Sequence, residues 1–171
     1  LLLRYRHQCA EGLINSALQD VSSLLHVAVA HGESGIVGLL LQARANVDQR
    51  DAEGTPLHLA VFEKESAQFA SQTQHQACAR NAIAKTLLAA GADPNSRDRD
   101  GFPPLYLACQ EGTLHSDTFW SLLEAGAELN AVLEAGYTAL LVAIHTGHVP
   151  LVKLLLHARA DVSKAREGDG Y

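Results

Sequence analysis

The stretch Thr55-Pro56-Leu57-His58-Leu59-Ala60 decides the fold, because related stretches recur at three other places in the chain. These are 23–28 (Ser-Leu-Leu-His-Val-Ala), 103–108 (Pro-Pro-Leu-Tyr-Leu-Ala) and 138–143 (Thr-Ala-Leu-Leu-Val-Ala). A second block follows each copy and begins with two leucines, as in Leu-Leu-Ala-Ala-Gly-Ala-Asp at 87–93. Two blocks that recur four times in the same order indicate a repeat architecture.

The spacing of the two blocks gives the length of the repeat. The distance is counted from the third residue of the first block to the alanine that closes the second block. It is 20 positions in repeats one and four, 22 in repeat three and 35 in repeat two. The first block then returns after 12 or 13 further positions. The base period is therefore about 33 residues, and repeat two carries an insertion of about fifteen.

Local signals mark where helices begin and end within the repeat. Thr55-Pro56 is typical of a helix start, since a threonine oxygen accepts from a free backbone N–H and proline suits the first helical position. Gly91 and Gly126 stand where a second helix should end in a left-handed residue. Arg44 and Arg159 occupy the same position in repeats one and four, so left-handed backbone is predicted at two arginines.

A period of 33 residues with Thr-Pro-Leu-His at 55–58 and Gly-Ala-Asp at 91–93 resembles the ankyrin repeat family, over about residues 21–168. The resemblance implies an all-α dominated repeat solenoid, in which helix-turn-helix pairs alternate with β-hairpin fingers. Neither helix of a pair can bury its apolar face alone, so stability is expected to come from stacked neighbours.

The repeats divide the chain into predicted units. The insertion is rich in alanine and glutamine and lacks proline and glycine, which favours lengthened helices over a loop. The units are 1–20 (the end of a preceding repeat or an N-terminal cap helix), 21–53 (repeat one), 54–100 (repeat two, with an inter-helix insertion near 65–80), 101–135 (repeat three), 136–168 (repeat four) and 169–171 (the start of a further repeat or a cut end).

Composition excludes some classes of partner. The net charge of −6 repels phosphate backbones and anionic lipid, so nucleic acid and direct membrane insertion are not expected. Cys9, Cys78 and Cys109 are odd in number and far apart, which favours free thiols in a reducing compartment, the cytoplasm or the nucleus. Because the sequence contains no methionine, we expect it to be a piece of a longer protein.

No motif typical of an enzyme is present. The sequence lacks a glycine-rich phosphate loop, a nucleophile elbow and a paired-carboxylate motif. His145 and His148 approach zinc-ligand spacing, with His115 a third candidate, but no thiol or carboxylate lies at a suitable local distance. We therefore expect no enzymatic activity, no cofactor, no metal and no small-molecule substrate.

The resemblance implies a scaffold that binds another protein with its hairpin tips and the concave side of its first helices. Apolar groups rimmed by charge are contact candidates. Leu133 and Tyr137 are expected to supply an exposed apolar anchor, with Arg97 or Arg99 steering an acidic partner. The alternative is a structural array that packs against other domains of a larger enzyme or channel. The candidate partner-binding residues are Phe62, Glu63, Arg97, Arg99, Phe102, Gln110, Glu111, Leu133, Tyr137 and His145.

The resemblance also implies roles for three polar residues. In the family, the histidine found here at His26 and His58 hydrogen-bonds to backbone near the turn. Tyr106 and Leu141 stand at this position in repeats three and four, so the histidine contact is lost or altered there. Asn130 resembles the hairpin asparagines that a 2-oxoglutarate-dependent hydroxylase modifies in ankyrin proteins.

Overall fold

The computed structural model describes residues 23–62, 73–111, 116–133 and 136–164, without the side chains of 73–78, Glu111 and Ser116. The predicted unit 1–20 and the end segment 169–171 lie outside these residues. The described segments form eight α-helices, and each predicted repeat contains one pair. The helices are α1 Leu24–Ala30, α2 Ser34–Gln42, α3 Pro56–Val61, α4 Thr73–Ala89, α5 Pro104–Glu111, α6 Ser116–Glu124, α7 Ala139–His145 and α8 Val149–His157.

The helices stack in two rows. The first helices α1, α3, α5 and α7 contact one another in chain order, and the second helices α2, α4 and α6 do the same. The third residue of each Thr-Pro-Leu-His-type block is a leucine exposed by 6% or less, and the closing alanine is equally buried. Small alanines let consecutive helices approach closely, which buries a continuous apolar core. The predicted helical repeat solenoid is confirmed.

The insertion of repeat two lengthens a helix. Helix α4 has 17 residues, whereas α2, α6 and α8 have nine each. Residues 73–80 of the insertion belong to this helix, as its composition predicted. Residues 63–72, which include the candidate Glu63, lie outside the described part of the chain.

The second helices end as the aligned positions predicted. The backbone φ is +62° at Arg44 and +63° at Arg159, against +90° at Gly91 and +95° at Gly126. All four residues are therefore in the left-handed region. A β-carbon is unfavourable there, so the two arginines carry backbone strain that the glycines avoid.

The segments between repeats were expected to be β-hairpin fingers, and this is not confirmed, because no β-strand occurs among the described residues. The described part of each segment is instead a turn that a backbone hydrogen bond spans. Asp51 N donates to Gly54 O (2.8 Å) in the first turn (49–54), and Asp98 N donates to Phe102 O (3.0 Å) in the second (96–102). Leu133 N donates to Tyr137 O (3.1 Å) in the third (131–137), of which 134–135 lie outside the described chain.

Polar side chains connect each turn to the next repeat. Asp48 Oδ1 accepts from Asp93 N at 3.0 Å, Asn95 Oδ1 from Glu128 N at 2.8 Å and Asn130 Oδ1 from Asp161 N at 2.8 Å. These three acceptors occupy the same position in successive repeats and are called the ladder residues below. They fix the spacing of the turns, which places neighbouring turn tips side by side.

Candidate protein-binding surface

Each contact between a buried side chain of one repeat's first helix and the turn that follows that repeat's second helix or precedes the next repeat is called a joint below. The first joint, between repeats one and two, is formed by His26 and Asp51. The His26 side chain is fully buried. Its Nδ1 lies 2.6 Å from Ser23 Oγ and its Nε2 lies 3.2 Å from Gly54 O, the position of a ring N–H that donates to the carbonyl. Asp51 Oδ1 is 3.7 Å from Nε2. Burial lowers the pKa of His26, and the opposing effect of Asp51 is smaller, so the ring is held neutral.

The second joint repeats this arrangement with His58 and Asp98. His58 Nδ1 accepts from Thr55 N at 3.0 Å, and Nε2 lies 3.1 Å from Phe102 O. Burial again lowers the histidine pKa, against a smaller opposing effect of the hydrogen bond to Phe102 O and of Asp98. Glycine is favoured at Gly54, because its φ is +121° and a β-carbon at this residue would lie 3.0 Å from the His58 ring. The backbone-binding role that the resemblance implied for both histidines is confirmed.

The aspartates of these joints also close their turns. Asp51 Oδ1 accepts from the N–H groups of Glu53 (2.8 Å) and Gly54 (3.1 Å). Asp98 Oδ1 accepts from those of Asp100 (3.0 Å) and Phe102 (2.7 Å). Each aspartate stands three residues after a ladder residue, and the same count in repeat three leads to Leu133.

The third joint is apolar, which corrects the prediction that Leu133 is an exposed anchor for a partner. Leu133 is only 6% exposed. It lines a cavity of about 10 Å³ together with Pro103, Tyr106 and Ala139. Tyr106 occupies the position that histidine has in the other two joints. Leu133 occupies the position that the aspartate has there. Its side chain therefore faces the repeat stack and is not available to another protein.

A groove opens between the tips of the first and second turns and the ends of α3 and α5. Its volume is about 490 Å³, within the roughly 300–1,000 Å³ of sites that hold a ligand. The His58–Phe102 contact of the second joint forms part of its wall. The lining residues are Ala52, Glu53, His58, Leu59, Phe62, Asp98, Arg99, Asp100, Phe102, Leu107 and Gln110.

Four of the predicted contact residues meet in this groove: Phe62, Arg99, Phe102 and Gln110. Phe62 and Phe102 are half-buried, whereas Arg99 and Gln110 are exposed. The Phe102 ring stacks on Tyr106 with centroids 4.8 Å apart and planes 10° from parallel. The structure therefore brings together predicted residues from the second turn and from the ends of α3 and α5.

Other predicted contact residues lie elsewhere. Arg97 is exposed but does not line the groove, and its Nη1 donates to Gly101 O at 3.0 Å. Tyr137 is half-buried and packs against the core. His145 is exposed on α7, in repeat four. The side chain of Glu111 is outside the described part of the chain, as is Glu63.

The sequence did not single out Leu59 and Leu107 as lining residues. Each lies three residues before a predicted contact, Phe62 in repeat two and Gln110 in repeat three. Residues three apart share one face of a helix, so this spacing was the signal that could have identified them. They form an apolar floor between the polar turn tips.

Three observations on the described segments concern metal binding, thiol chemistry and membrane crossing. They contain no group of three or more His, Cys, Asp and Glu side chains placed to hold a metal ion. Burial raises the pKa of the Cys109 thiol to about 12, so it stays protonated and unreactive. None of the described helices is both long enough and apolar enough to cross a membrane.

Comparison with known proteins identifies the repeats. The family model for three copies of ankyrin repeats matches residues 74–166, and that for a single ankyrin repeat matches 22–52. NF-kappa-B inhibitor alpha from Sus scrofa and from Homo sapiens is 32% identical over 154 residues, which cover 85% of this chain and 44% of the inhibitor. The chain thus spans less than half the length of these relatives. The ADP-ribosylation factor GTPase-activating protein AGD2 of Arabidopsis thaliana is 35% identical over 102 residues, 59% of this chain and 11% of that protein. This chain belongs to the ankyrin repeat family.

Proposed function

We propose that the chain is a protein-interaction scaffold that binds a partner through the concave side of its first helices and the tips of its turns. The observation that carries the proposal is the groove at the second joint. It combines an apolar floor with a charged rim, which is the composition of an interface centre and its edge. Enzymatic activity, a cofactor and a small-molecule substrate form no part of the proposal.

Phe62, Phe102, Gln110 and Arg99 are the proposed centre of the contact, because they line the groove. Arg97 lies beside this centre on the second turn. Glu63, Glu111, Tyr137 and His145 are proposed to extend the contact along the first helices. Leu133 is left out of this surface, since its side chain is buried.

The relatives suggest which partner to test first. Two of them are named as inhibitors of NF-kappa-B, and their similarity to this chain covers most of its length. An NF-kappa-B protein is therefore the first candidate, in the cytoplasm or the nucleus. Ankyrin specificity resides in variable surface positions, so the partner has to be established by experiment.

Site-directed photo-crosslinking in cells tests the scaffold function. A photoreactive amino acid replaces Gln110, which is exposed in the groove, and in a matched control it replaces Glu124, which is exposed at the end of α6. We expect the first variant to crosslink to a different polypeptide and the control to give no such product. Crosslinks from position 110 that join only parts of the same polypeptide would contradict the proposal.

The second candidate function is a structural array that packs against other domains of its own chain. It requires that crosslinks from position 110 join parts of the same polypeptide. One observation favours it. The GTPase-activating relative is matched over only 11% of its length, so similar repeats do occur inside a much larger protein. Crosslinks within one polypeptide would support this candidate and would place the contact in the groove.

We also propose hydroxylation of Asn130 by a 2-oxoglutarate-dependent hydroxylase. Its half-buried side chain accepts from Asp161 N, so the enzyme has to act on an opened turn. Mass spectrometry of protein from animal cells that express the hydroxylase should show a gain of about 16 Da on Asn130, the mass of one oxygen atom. An unmodified Asn130 in such cells would contradict this proposal.

A further inference from the structure

The last of the four repeats exposes an apolar side chain that the other repeats bury. Ile144, on α7, is 56% exposed. The residues at its position in repeats one to three are exposed by 6% or less, and these are Val29, Val61 and Cys109. Repeat one buries this position although no described repeat precedes it, and the first helices contact one another in chain order. The covering surface therefore comes from the repeat that follows, and no described repeat follows repeat four.

The second helix of repeat four shows the same difference. Val152, on α8, is half-buried, whereas its equivalents in the three earlier repeats are fully buried: Val37, Ala84 and Phe119. Val149, one turn earlier, is 59% exposed. Asn81 occupies that position in repeat two, and its Oδ1 accepts from Thr118 Oγ1 of repeat three at 2.9 Å. Position 149 therefore faces the place that a following repeat would occupy.

Charged and aromatic residues also link the second helices of neighbouring repeats. Lys85 Nζ lies 3.2 Å from Asp117 Oδ2 in the next repeat. Trp120 occupies the position of Lys85 in repeat three, and its ring contacts that of His157 in repeat four, with centroids 6.0 Å apart. In repeat four this position holds Lys153, which is exposed. Lys153 is therefore placed to pair with a carboxylate of a following repeat, as Lys85 does.

The segment that leaves α8 follows the path of the segments that lead into repeats three and four. Ala160 is buried, and its N–H donates to the carbonyl of Leu155 at 2.9 Å. Asp161 N donates to the ladder residue Asn130. The alanines that precede repeats three and four are equally buried and make the equivalent backbone bond, namely Ala92 and Ala127. The backbone thus leaves repeat four as it leaves repeats two and three, where it leads into the next helix pair.

We propose that a further ankyrin-type helix pair of the same polypeptide packs against the end face of repeat four, which is defined as Ile144, Val149, Val152 and Lys153. The first helix of this pair covers Ile144, and the second covers Val149 and Val152. A carboxylate in the first turn of the second helix pairs with Lys153. The proposal continues the interface that joins repeats one to four and is independent of the groove.

The charge of the end face distinguishes this occupant from a second copy of the chain. Stacking of a second copy would place its repeat one on the end face. Repeat one has Gly35 at the position of Asp117, so it brings no carboxylate to Lys153 at that point. An unpaired charge within an interface is unfavourable. A helix pair with an acidic residue at the position of Asp117 is therefore the better match.

Photo-crosslinking in the polypeptide as its cells make it tests the proposal. A photoreactive amino acid replaces Ile144, and in a matched control it replaces Glu124, which is exposed on α6. We expect position 144 to crosslink within the same polypeptide to a helix pair that follows repeat four, and position 124 to give no such product. A crosslink from position 144 to a second copy or to a different protein would overturn the proposal, as would the absence of any crosslink.

Urea denaturation of charge variants provides the second measurement. In the natural polypeptide, Ile144→Glu should lower the unfolding midpoint by about 1 M urea or more, because it puts a carboxylate into an apolar interface. In the 171-residue chain alone, where Ile144 is exposed, the same change should shift the midpoint by less than about 0.3 M. Equal, small shifts in both proteins would overturn the proposed packing.

Lys153→Glu and Lys153→Gln test the proposed ion pair in the natural polypeptide. We expect the glutamate variant to have the lower unfolding midpoint, and added salt to reduce the difference between the two variants. In the 171-residue chain alone the two midpoints should agree. Equal midpoints for the two variants in the natural polypeptide at low salt would show that no carboxylate faces Lys153 and would overturn the proposed chemistry of the occupant.

Discussion

The second and third joints of the stack use the same two positions of the repeat for opposite chemistry. In the second joint, a buried histidine donates to the carbonyl of Phe102, and Asp98 closes the turn. In the third joint, Tyr106 and Leu133 occupy those positions and line a small cavity. The first joint, with His26 and Asp51, follows the polar pattern.

The difference shows that the joint can be filled either with directed polar contacts or with apolar volume, provided that both positions change together. A histidine beside Leu133 would lack the turn-closing aspartate that accompanies His26 and His58, and an aspartate beside Tyr106 would lack the histidine. Buried polar groups are costly unless every member is hydrogen-bonded. Of the two polar joints, the second also borders the groove, since His58, Asp98 and Phe102 line it.

The largest expected effect is on the apolar joint. Leu133→Ala should lower the free energy of unfolding by about 2–4 kcal/mol, because it removes buried methyl groups and enlarges a cavity. Val132→Ala, on the same turn but 49% exposed, should cost less than about 1 kcal/mol. Urea denaturation of both variants gives the comparison. Equal costs would mean that Leu133 does not hold the third joint together.

A double-mutant cycle asks whether the two joint chemistries are interchangeable. Tyr106→His and Leu133→Asp should each destabilise, since each puts one polar group into the apolar joint. Together they should recover at least about 1 kcal/mol of the summed loss. The imidazole can then donate to Tyr137 O, and the carboxylate can close the third turn as Asp98 closes the second.

The measurement for this cycle is chemical denaturation of the wild type, the two single variants and the double variant. Tyr106→His combined with Val132→Asp is the control, because Val132 is exposed and outside the joint. Additive losses in the first pair would show that the second joint depends on more than these two positions.

The polar joints should make stability depend on pH in the region below 6.5. Burial lowers the folded-state pKa of His26 and His58 from the ordinary value of 6.5, and the effects of Asp51 and Asp98 are smaller. Both rings are neutral in either state above that pH, so the contribution is fully present there. As the pH falls below 6.5, the unfolded chain takes up protons that the folded chain resists, and the free energy of unfolding falls.

Denaturation at pH 7.5 and 5.5 measures this slope. The double variant His26→Gln, His58→Gln should have a flatter pH dependence than the wild type, whereas His145→Gln, at an exposed position, should keep the wild-type slope. A slope that survives the loss of both joint histidines would assign the pH dependence to other groups.

The extent to which sequence predicted these features depends on how local their causes are. The helix pairs and the left-handed backbone at Arg44 and Arg159 could be predicted by aligning the repeats with one another, because these features depend on a few adjacent residues. The burial of Leu133 did not, because it depends on Tyr106, 27 residues earlier in the chain. Aligning the turns by their ladder residues would have shown Leu133 opposite Asp51 and Asp98.

Only the residues of the groove whose place depends on local sequence could be predicted. Phe62 and Gln110 follow from the position of the first helices, and Arg99 from the position of a turn tip. The backbone contacts of Arg50 and Arg97 did not follow, since they depend on how the first and second turns pack together. Both arginines keep their charge and donate to carbonyl groups of the second turn.

The smallest expected effect concerns the helix ends and tests whether the joints influence the backbone next to them. Arg44 precedes a polar joint, whereas Arg159 lies at the end of the second helix in the last of the four repeats. Replacing either with glycine should remove the cost of a β-carbon in the left-handed region and stabilise the chain by up to about 1 kcal/mol. If strain is purely local, urea denaturation will give equal gains for the two variants. A smaller gain in the free energy of unfolding for Arg44→Gly would mean that the first joint already favours this backbone geometry. A lower free energy of unfolding for either variant would reveal an arginine contact that outweighs the strain.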